Sequence, residues 1–373
     1  ADPEKRDPRG YILSADQADF PTAVKFLNAL IKSGILVHRA TSDFTVGGKN
    51  YPKGSYIVKT AQAFRPHVID MFEPQDHPND FQYPGGPPVR PYDAAGWTLA
   101  FQMGIEADRI MEGFDGPFEA VTYGQLLSPE GSSLAASGAG YLLDPRVNDS
   151  FTAVNDLLKG KVKVYRTQTA AGSIPAGAFY VPAAGKKILD LAVRNYGLKP
   201  TAAKGMPSGA KEIKPARIGL YDYYGGSMPS GWTRWIMEQF HFDYAQVFPM
   251  EIDGGNLAEK YDVLLFIGPG MPGAGGGYGA GAQPKKEDVP ATYHHMLGRL
   301  SIDKSIPQLK KFLEGGGQIL TAGGATSLAN LLGLPVSNAL VEIVDGKEKS
   351  LTGDKYYIPG SVLEMEVDTA API

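Results

Sequence analysis

The feature that most constrains this chain is a repeat of itself. Residues 9–13 (RGYIL) match 139–143 (AGYLL), and Phe20 with residues 22–24 matches Phe151 with 152–154. Residues 37–41 (VHRAT) match 164–168 (VYRTQ), and 51–58 (YPKGSYIV) match 174–181 (IPAGAFYV). The order is kept, while the spacing between copies shortens from 130 residues at Gly10 and Gly140 to 123 at Gly54 and Gly177. Each copy, about 9–70 and 139–185, reads as strand, helix, strand, turn, strand. Val24, Leu27 and Ile31 recur at helical spacing, with Gly34 as a stop. In the turns, proline fixes φ and the following glycine supplies a positive φ. Neither copy is large enough for a good core alone. The two are therefore expected to pair into one pseudo-symmetric α/β domain over residues 1–205. Between them runs a proline-rich segment, residues 73–92, read as a long loop that wraps its neighbour. Residues 197–214 read as a polar linker.

A different pattern begins near Ala216. Strands are expected over 216–222, 245–248, 262–268 and 318–322, with helices over 230–240 and 306–315. Trp232, Trp235, Ile236 and Phe240 are expected to face a core. Residues 263–267 (VLLFI) form the unbroken apolar run of a strand buried on both faces, as in parallel sheets. The order is that of a doubly wound α/β domain spanning 215–373. Residues 315–328 (GGGQILTAGGATSL) close the pattern as a strand, a glycine turn and a helix start. In α/β hydrolytic folds a nucleophile stands on such an elbow, beside a helix N-terminus that favours negative charge. Here the turn offers Gly323, Gly324 and Ala325. The setting for a nucleophile is present without the nucleophile.

Composition removes several function classes. A chain of 373 residues exceeds one ordinary core. The 36 basic and 40 acidic residues leave a net charge of −4, which gives no footprint for nucleic acid. No run of 18 apolar residues predicts a membrane span. With no cysteine, the chain has no disulfide, thiolate zinc site or cysteine nucleophile. The polar first residues read as a linker rather than a signal peptide, and the last ten as a strand running into the chain end. Both ends are read as cuts through a longer protein.

Three constellations carry possible chemistry. His67, Asp70 and His77 lie close in sequence with further carboxylates and could hold a hard or borderline metal. The alternative is a polar surface loop. His294 and His295 are adjacent on a short helix, where side chains diverge by about 100° and chelate poorly. The glycine-rich residues 273–281 lack the lysine and hydroxyl ending of a phosphate loop, and read as a flexible loop. The third constellation is a crevice at the carboxyl ends of the last domain's strands. It would be formed by Asp222, Tyr223, Trp232 and Arg234, with Thr326 and Ser327 on the elbow helix. Against it stands a plain structural reading, in which Ser230 caps the helix and Trp232 packs beneath it. Ser327 as a nucleophile would need a nearby base, and no histidine is placed for that by sequence.

Residues 10–24, 56–80 and 231–240 resemble the region behind the peptidase domain of large bacterial zinc carboxypeptidase-like proteins. The resemblance runs along essentially the whole chain. From about Ala216 the chain is also similar to the class I glutamine amidotransferase-like fold, which is flavodoxin-like. The resemblance implies a parent that releases C-terminal residues from peptides with a zinc held by His-x-x-Glu and a later His. Those ligands would lie upstream of Ala1, so no cofactor is expected in this chain. It also implies export, to the periplasm or outside the cell. The relatives with amidotransferase activity carry cysteine at the elbow, and this chain carries glycine. The leading expectation is a non-catalytic accessory region whose partner is the upstream peptidase domain. The alternatives are a stand-alone module binding a small polar or peptide ligand near Asp222, Trp232 and Arg234, and an atypical hydrolase using Ser327 or a metal at His67 and His77.

Overall fold

The computed structural model describes residues 6–74, 78–91, 98–129, 133–136, 138–268, 271–272 and 283–358. His77, most of the 269–282 segment and the expected terminal strand lie outside the described residues. The chain is mixed α/β and divides into two units. One comprises Ala1–Leu157, Val162–Glu212 and Leu340–Ile373, and the other Leu158–Lys161 with Ile213–Ala339.

The first half of the first unit runs β1 (Gly10–Leu13), α1 (Phe20–Lys32), β2 (His38–Ala40), β3 (Phe44–Val46), β4 (Lys49–Tyr51), β5 (Tyr56–Lys59), α2 (Arg65–Phe72), α3 (Leu99–Gln102), β6 (Asp108–Ile110) and β7 (Phe118–Ala120). The second half runs β8 (Gly140–Leu143), α4 (Asn148–Lys159), β9 (Val164–Arg166), β10 (Phe179–Pro182), α5 (Lys186–Tyr196), β11 (Thr201–Ala203) and β12 (Lys211–Ile213). Two five-stranded sheets result, ordered β6-β1-β5-β2-β7 and β11-β8-β10-β9-β12. Substituting each strand by its counterpart converts one order into the other. The registers agree too: Gly10 faces Lys59 and Leu13 faces Tyr56, while Gly140 faces Pro182 and Leu143 faces Phe179.

Local chemistry explains the elements. Asp19 caps α1 by accepting the Thr22 amide, and Pro21 sits in the first turn, where its missing N–H costs nothing. Gly34, at φ +87°, takes the left-handed backbone that ends the helix. Side chains of the first sheet alternate between two cores. Tyr11, Leu13, Tyr56 and Val58 pack under α1 and α2, whereas Ile12 and Ile57 pack with Ala40 and Tyr51, against Phe44 and Val46. Each aliphatic side chain so buried contributes about 1.5–3 kcal/mol relative to exposure.

The expected linker, 197–214, instead supplies β11, paired with β8, and β12, the edge beside β9. Its polar residues suit an edge strand, where one side of the ladder meets water. The segment between the copies likewise supplies β6 and β7 rather than loop alone.

The second unit runs β13 (Ile218–Tyr221), α6 (Met228–Gln239), β14 (Tyr244–Val247), α7 (Pro249–Gly254), α8 (Leu257–Lys260), β15 (Val263–Ile267), α9 (Ser305–Glu314), β16 (Gln318–Ala322) and α10 (Leu328–Leu332). Its four strands are parallel, in the order β14-β13-β15-β16. Tyr221, Leu264 and Phe266 join α7, α8, α9 and α10 in one core. The hairpin β17 (Val341–Val344) and β18 (Lys347–Ser350) is grouped with the first unit.

Candidate functional site

In the parallel sheet the chain leaves β13 in one direction, to β14, and later returns on the other side, to β15. The crevice outside the carboxyl ends of β13 and β15 is thus the switch point where folds of this kind hold ligands. Asp222 lies there, immediately after β13, and Gly268 immediately after β15. The Gly268 amide donates to the Ala322 carbonyl (3.1 Å), which draws the β15 end to the elbow after β16. Gly323 turns the chain at φ +63°, a conformation that costs glycine nothing. The expected helix start is a 3₁₀ turn over Gly323–Ser327, and α10 follows from Leu328.

The side chains at this edge are already committed. Asp222 is 5% exposed and accepts hydrogen bonds from the Ser230 hydroxyl (2.9 Å), the Tyr223 amide (2.9 Å) and the Gln246 amide group (3.4 Å). The Thr326 hydroxyl donates to the Gly323 carbonyl (2.8 Å) and the Ser327 hydroxyl to the Gly324 carbonyl (2.9 Å). The acceptor of the Ser327 hydroxyl is thus a backbone carbonyl, which is not a general base. Tyr223 packs in the core beside Tyr221, 6.5 Å between ring centres, and burial first, then the Asp222 charge, raises its phenol pKa. Its hydroxyl is buried without a hydrogen-bond partner among the described residues.

Trp232 and Arg234 do not join this group. Helix α6 is capped by Ser227, whose hydroxyl accepts the Ser230 amide, and it buries Ser230 and Met237. Seven residues apart, those two share a face. Trp232, Trp235 and Ile236 lie on another face and are exposed, Trp232 by 64%. The expected packing of these aromatics into a core is therefore corrected. Arg234 interacts with Tyr244, at the start of β14 and away from the carboxyl edge.

His67 and Asp70 are three residues apart on α2, and the Asp70 side chain is exposed. Among the described residues no group of three or more His, Asp or Glu side chains is placed to hold a metal ion. His294 sits on a 3₁₀ turn with its Nε2 2.8 Å from the Val289 carbonyl oxygen, and His295 packs its ring edge against Phe248.

Sequence reading did not foresee a cleft within the first unit. A cleft of about 410 Å³ opens between the two copies. The β1–α1 loop (Asp16), Phe20 at the start of α1, and the equivalent β8–α4 loop (Asp144, Val147) all line it. Arg39, Lys53 and Tyr56 come from the first copy, and Leu198 and Lys199 follow the helix of the second. Arg39 lies 6.0 Å from the Tyr56 ring centre, a cation–π distance. Its guanidinium passes Gly54 so closely that a Cβ there would stand 3.6 Å from it. Burial raises the Asp144 pKa, but four hydrogen bonds from Arg146 outweigh that and hold its carboxyl below the usual range. The signal for this cleft was in the repeat: the second copy has Ala176 and Phe179 where the first has Lys53 and Tyr56.

Comparison with known proteins finds no matching family model, no matching curated protein and no matching solved structure. No helix among the described residues is long and apolar enough to cross a membrane.

Proposed function

We propose that this chain is a non-catalytic accessory region of an exported zinc carboxypeptidase-like hydrolase, whose zinc ligands belong to an upstream domain. The chain would steady that domain or present substrate to it. The elbow is the observation that carries the non-catalytic part. At the position where a nucleophile would stand the backbone is Gly323–Gly324–Ala325, and both nearby hydroxyls are spent on backbone carbonyls. The link to a peptidase rests on the resemblance of residues 10–24, 56–80 and 231–240. The β14-β13-β15-β16 parallel order supports reading the second unit as flavodoxin-like and amidotransferase-like. The matching strand orders and registers of the two five-stranded sheets support reading the first as a duplicated module.

The test is to express the gene with its natural flanking sequence, with and without the present region, and to follow release of C-terminal residues from peptides. The reading predicts zinc-dependent release that falls when the region is removed. Release unaffected by the removal, at equal folded enzyme, contradicts it. So does peptide hydrolysis by this chain alone.

A further inference from the structure

We infer that two copies of this chain associate face to face through the second unit, with helix α6 of each covering the bare β15–β16 half of the other's sheet. The inference goes beyond the accessory reading and does not depend on it, because it concerns only this chain's own surface.

The parallel sheet is covered unequally. Tyr221, Leu264 and Phe266 point to the face packed by α7, α8, α9 and α10. The path from β13 to β14 crosses the sheet in the opposite direction to the paths from β14 to β15 and from β15 to β16. Right-handed crossovers in opposite directions place their helices on opposite faces. Helix α6 is therefore the one described α-helix on the second face. A row of leucines crosses that face, with Leu220 beside Leu265 and Leu265 beside Leu320. Leu220 is buried, Leu265 half-buried and Leu320 42% exposed. Cover thus fails from β13 outward, although parallel sheets are ordinarily covered on both faces. The bare half consists of Val263, Leu265 and Ile267 on β15 with Gln318, Leu320 and Ala322 on β16, and it carries no charge.

Helix α6 has the complementary surplus. Ser230 and Met237 are buried on its inner side. Met228, Trp232, Trp235 and Ile236, at i, i+4, i+7 and i+8, form a second stripe on the opposite side. All four are half or more exposed, Met228 by 79%. A helix apolar on its outer side as well belongs between two layers.

The stripe and the bare strands lie on the same face of one unit. A two-fold axis between two copies therefore brings each stripe onto the other's bare strands, giving a sheet, a layer of two helices and a second sheet. Neither surface holds a charged side chain, so like surfaces meet without like-charge repulsion. At about 200 Å² for a whole large apolar side chain, the exposed parts of Met228, Trp232, Trp235, Ile236 and Leu320 present roughly 600 Å². With a polar rim added, this approaches the ~800 Å² per partner of a specific dimer. The paired tryptophans at its centre are of the residue type that dominates such interfaces.

The test is sedimentation equilibrium of the full chain from about 1 to 100 µM, with Trp232→Glu and Leu320→Lys as variants. The chain is expected to be a dimer that dissociates on dilution. Each variant should weaken association by about tenfold or more, because each removes one side of the same contact. At dilutions where the chain is a monomer, both should unfold at the parent temperature, since both side chains are exposed there. A dimer indifferent to both substitutions uses another face and overturns the inference. So does a dimer weakened at Trp232 alone, because the sheet is then not the surface covered. A monomer throughout the range also overturns it. Acrylamide quenching in a Trp97→Phe background, which leaves Trp232 and Trp235 as the only tryptophans, then names the alternative. Shielded tryptophans mean cover from within the same chain, and quenched ones a face open to a different protein. None of these outcomes bears on whether the parent is a peptidase.

Discussion

The Ser230 hydroxyl donates to the Asp222 carboxylate across 2.9 Å, tying the first turn of α6 to the end of β13. This bond commits part of the Asp222 carboxylate to holding the fold. Replacing Asp222 by alanine leaves the Ser230 hydroxyl and the Tyr223 amide without their acceptor in a buried place. Asp222→Ala is expected to lower unfolding free energy by ~1–3 kcal/mol, and Ser230→Ala by ~1 kcal/mol. Urea unfolding of both variants checks this. An Asp222→Ala protein as stable as the parent chain would return the residue to the list of ligand-binding candidates.

Gly10 and Gly140 hold the same register position in the two sheets, and neither has room for a side chain. A Cβ on Gly10 would stand 2.8 Å from the Val58 carbonyl oxygen, and on Gly140 2.5 Å from that of Val181. Because backbone does not yield easily, Gly10→Ala and Gly140→Ala should each cost ~1–3 kcal/mol. Chemical unfolding measures this. Tolerance at both positions would show that the sheets do not pack as described.

His38 supplies a pH dependence. Its Nδ1 is buried without a hydrogen-bond partner among the described residues. Burial, helped by the Lys59 charge and opposed by Asp115, holds its pKa below the ordinary 6.5. The unfolded chain therefore takes up the proton first as pH falls. Stability is full above pH 6.5 and declines below it until the folded value is passed. His38→Gln should flatten that part of the stability–pH curve. A second loss, from the ordinary 3.8 toward about 2, belongs to Asp262, whose pKa the bonds from Arg217 pull down. An unchanged curve in His38→Gln just below pH 6.5 would refute the assignment.

The exposed pair Trp232 and Trp235 meets edge to face, 6.1 Å between ring centres. Trp232→Ala and Trp235→Ala should each change stability by less than about 1 kcal/mol. Phe312→Ala, in the core, should cost ~3–5 kcal/mol. A Trp232→Ala cost equal to that of Phe312→Ala would mean that the tryptophan is buried after all.

The sequence carried the strands well where the signal was local. The elbow strand 318–322 was read with its observed bounds, and the helix expected from Val24, Leu27 and Ile31 with Gly34 as its stop is observed as Phe20–Lys32. The matched segments around Gly10 and Gly140 are the inner strands β1 and β8 of the two sheets. Edge strands such as Thr201–Ala203 were not legible, because three residues are too few to show an alternation. The facing of α6 failed for a related reason: two tryptophans and an isoleucine at helical spacing mark a stripe without saying which side of the helix is covered. The cleft was illegible because it is built by the pairing of two copies, although the departures at Lys53 and Tyr56 marked the place.

The central claim is that the elbow after β16 is scaffold and not a nucleophile. Its most direct test is labelling of the full chain with a serine-reactive fluorophosphonate, with the modified residue located by mass spectrometry and with Ser327→Ala as control. The bond from Ser327 to the Gly324 carbonyl predicts no label at Ser327 and no ester hydrolysis lost in the variant. Stoichiometric label at Ser327, abolished together with hydrolysis by Ser327→Ala, would contradict it.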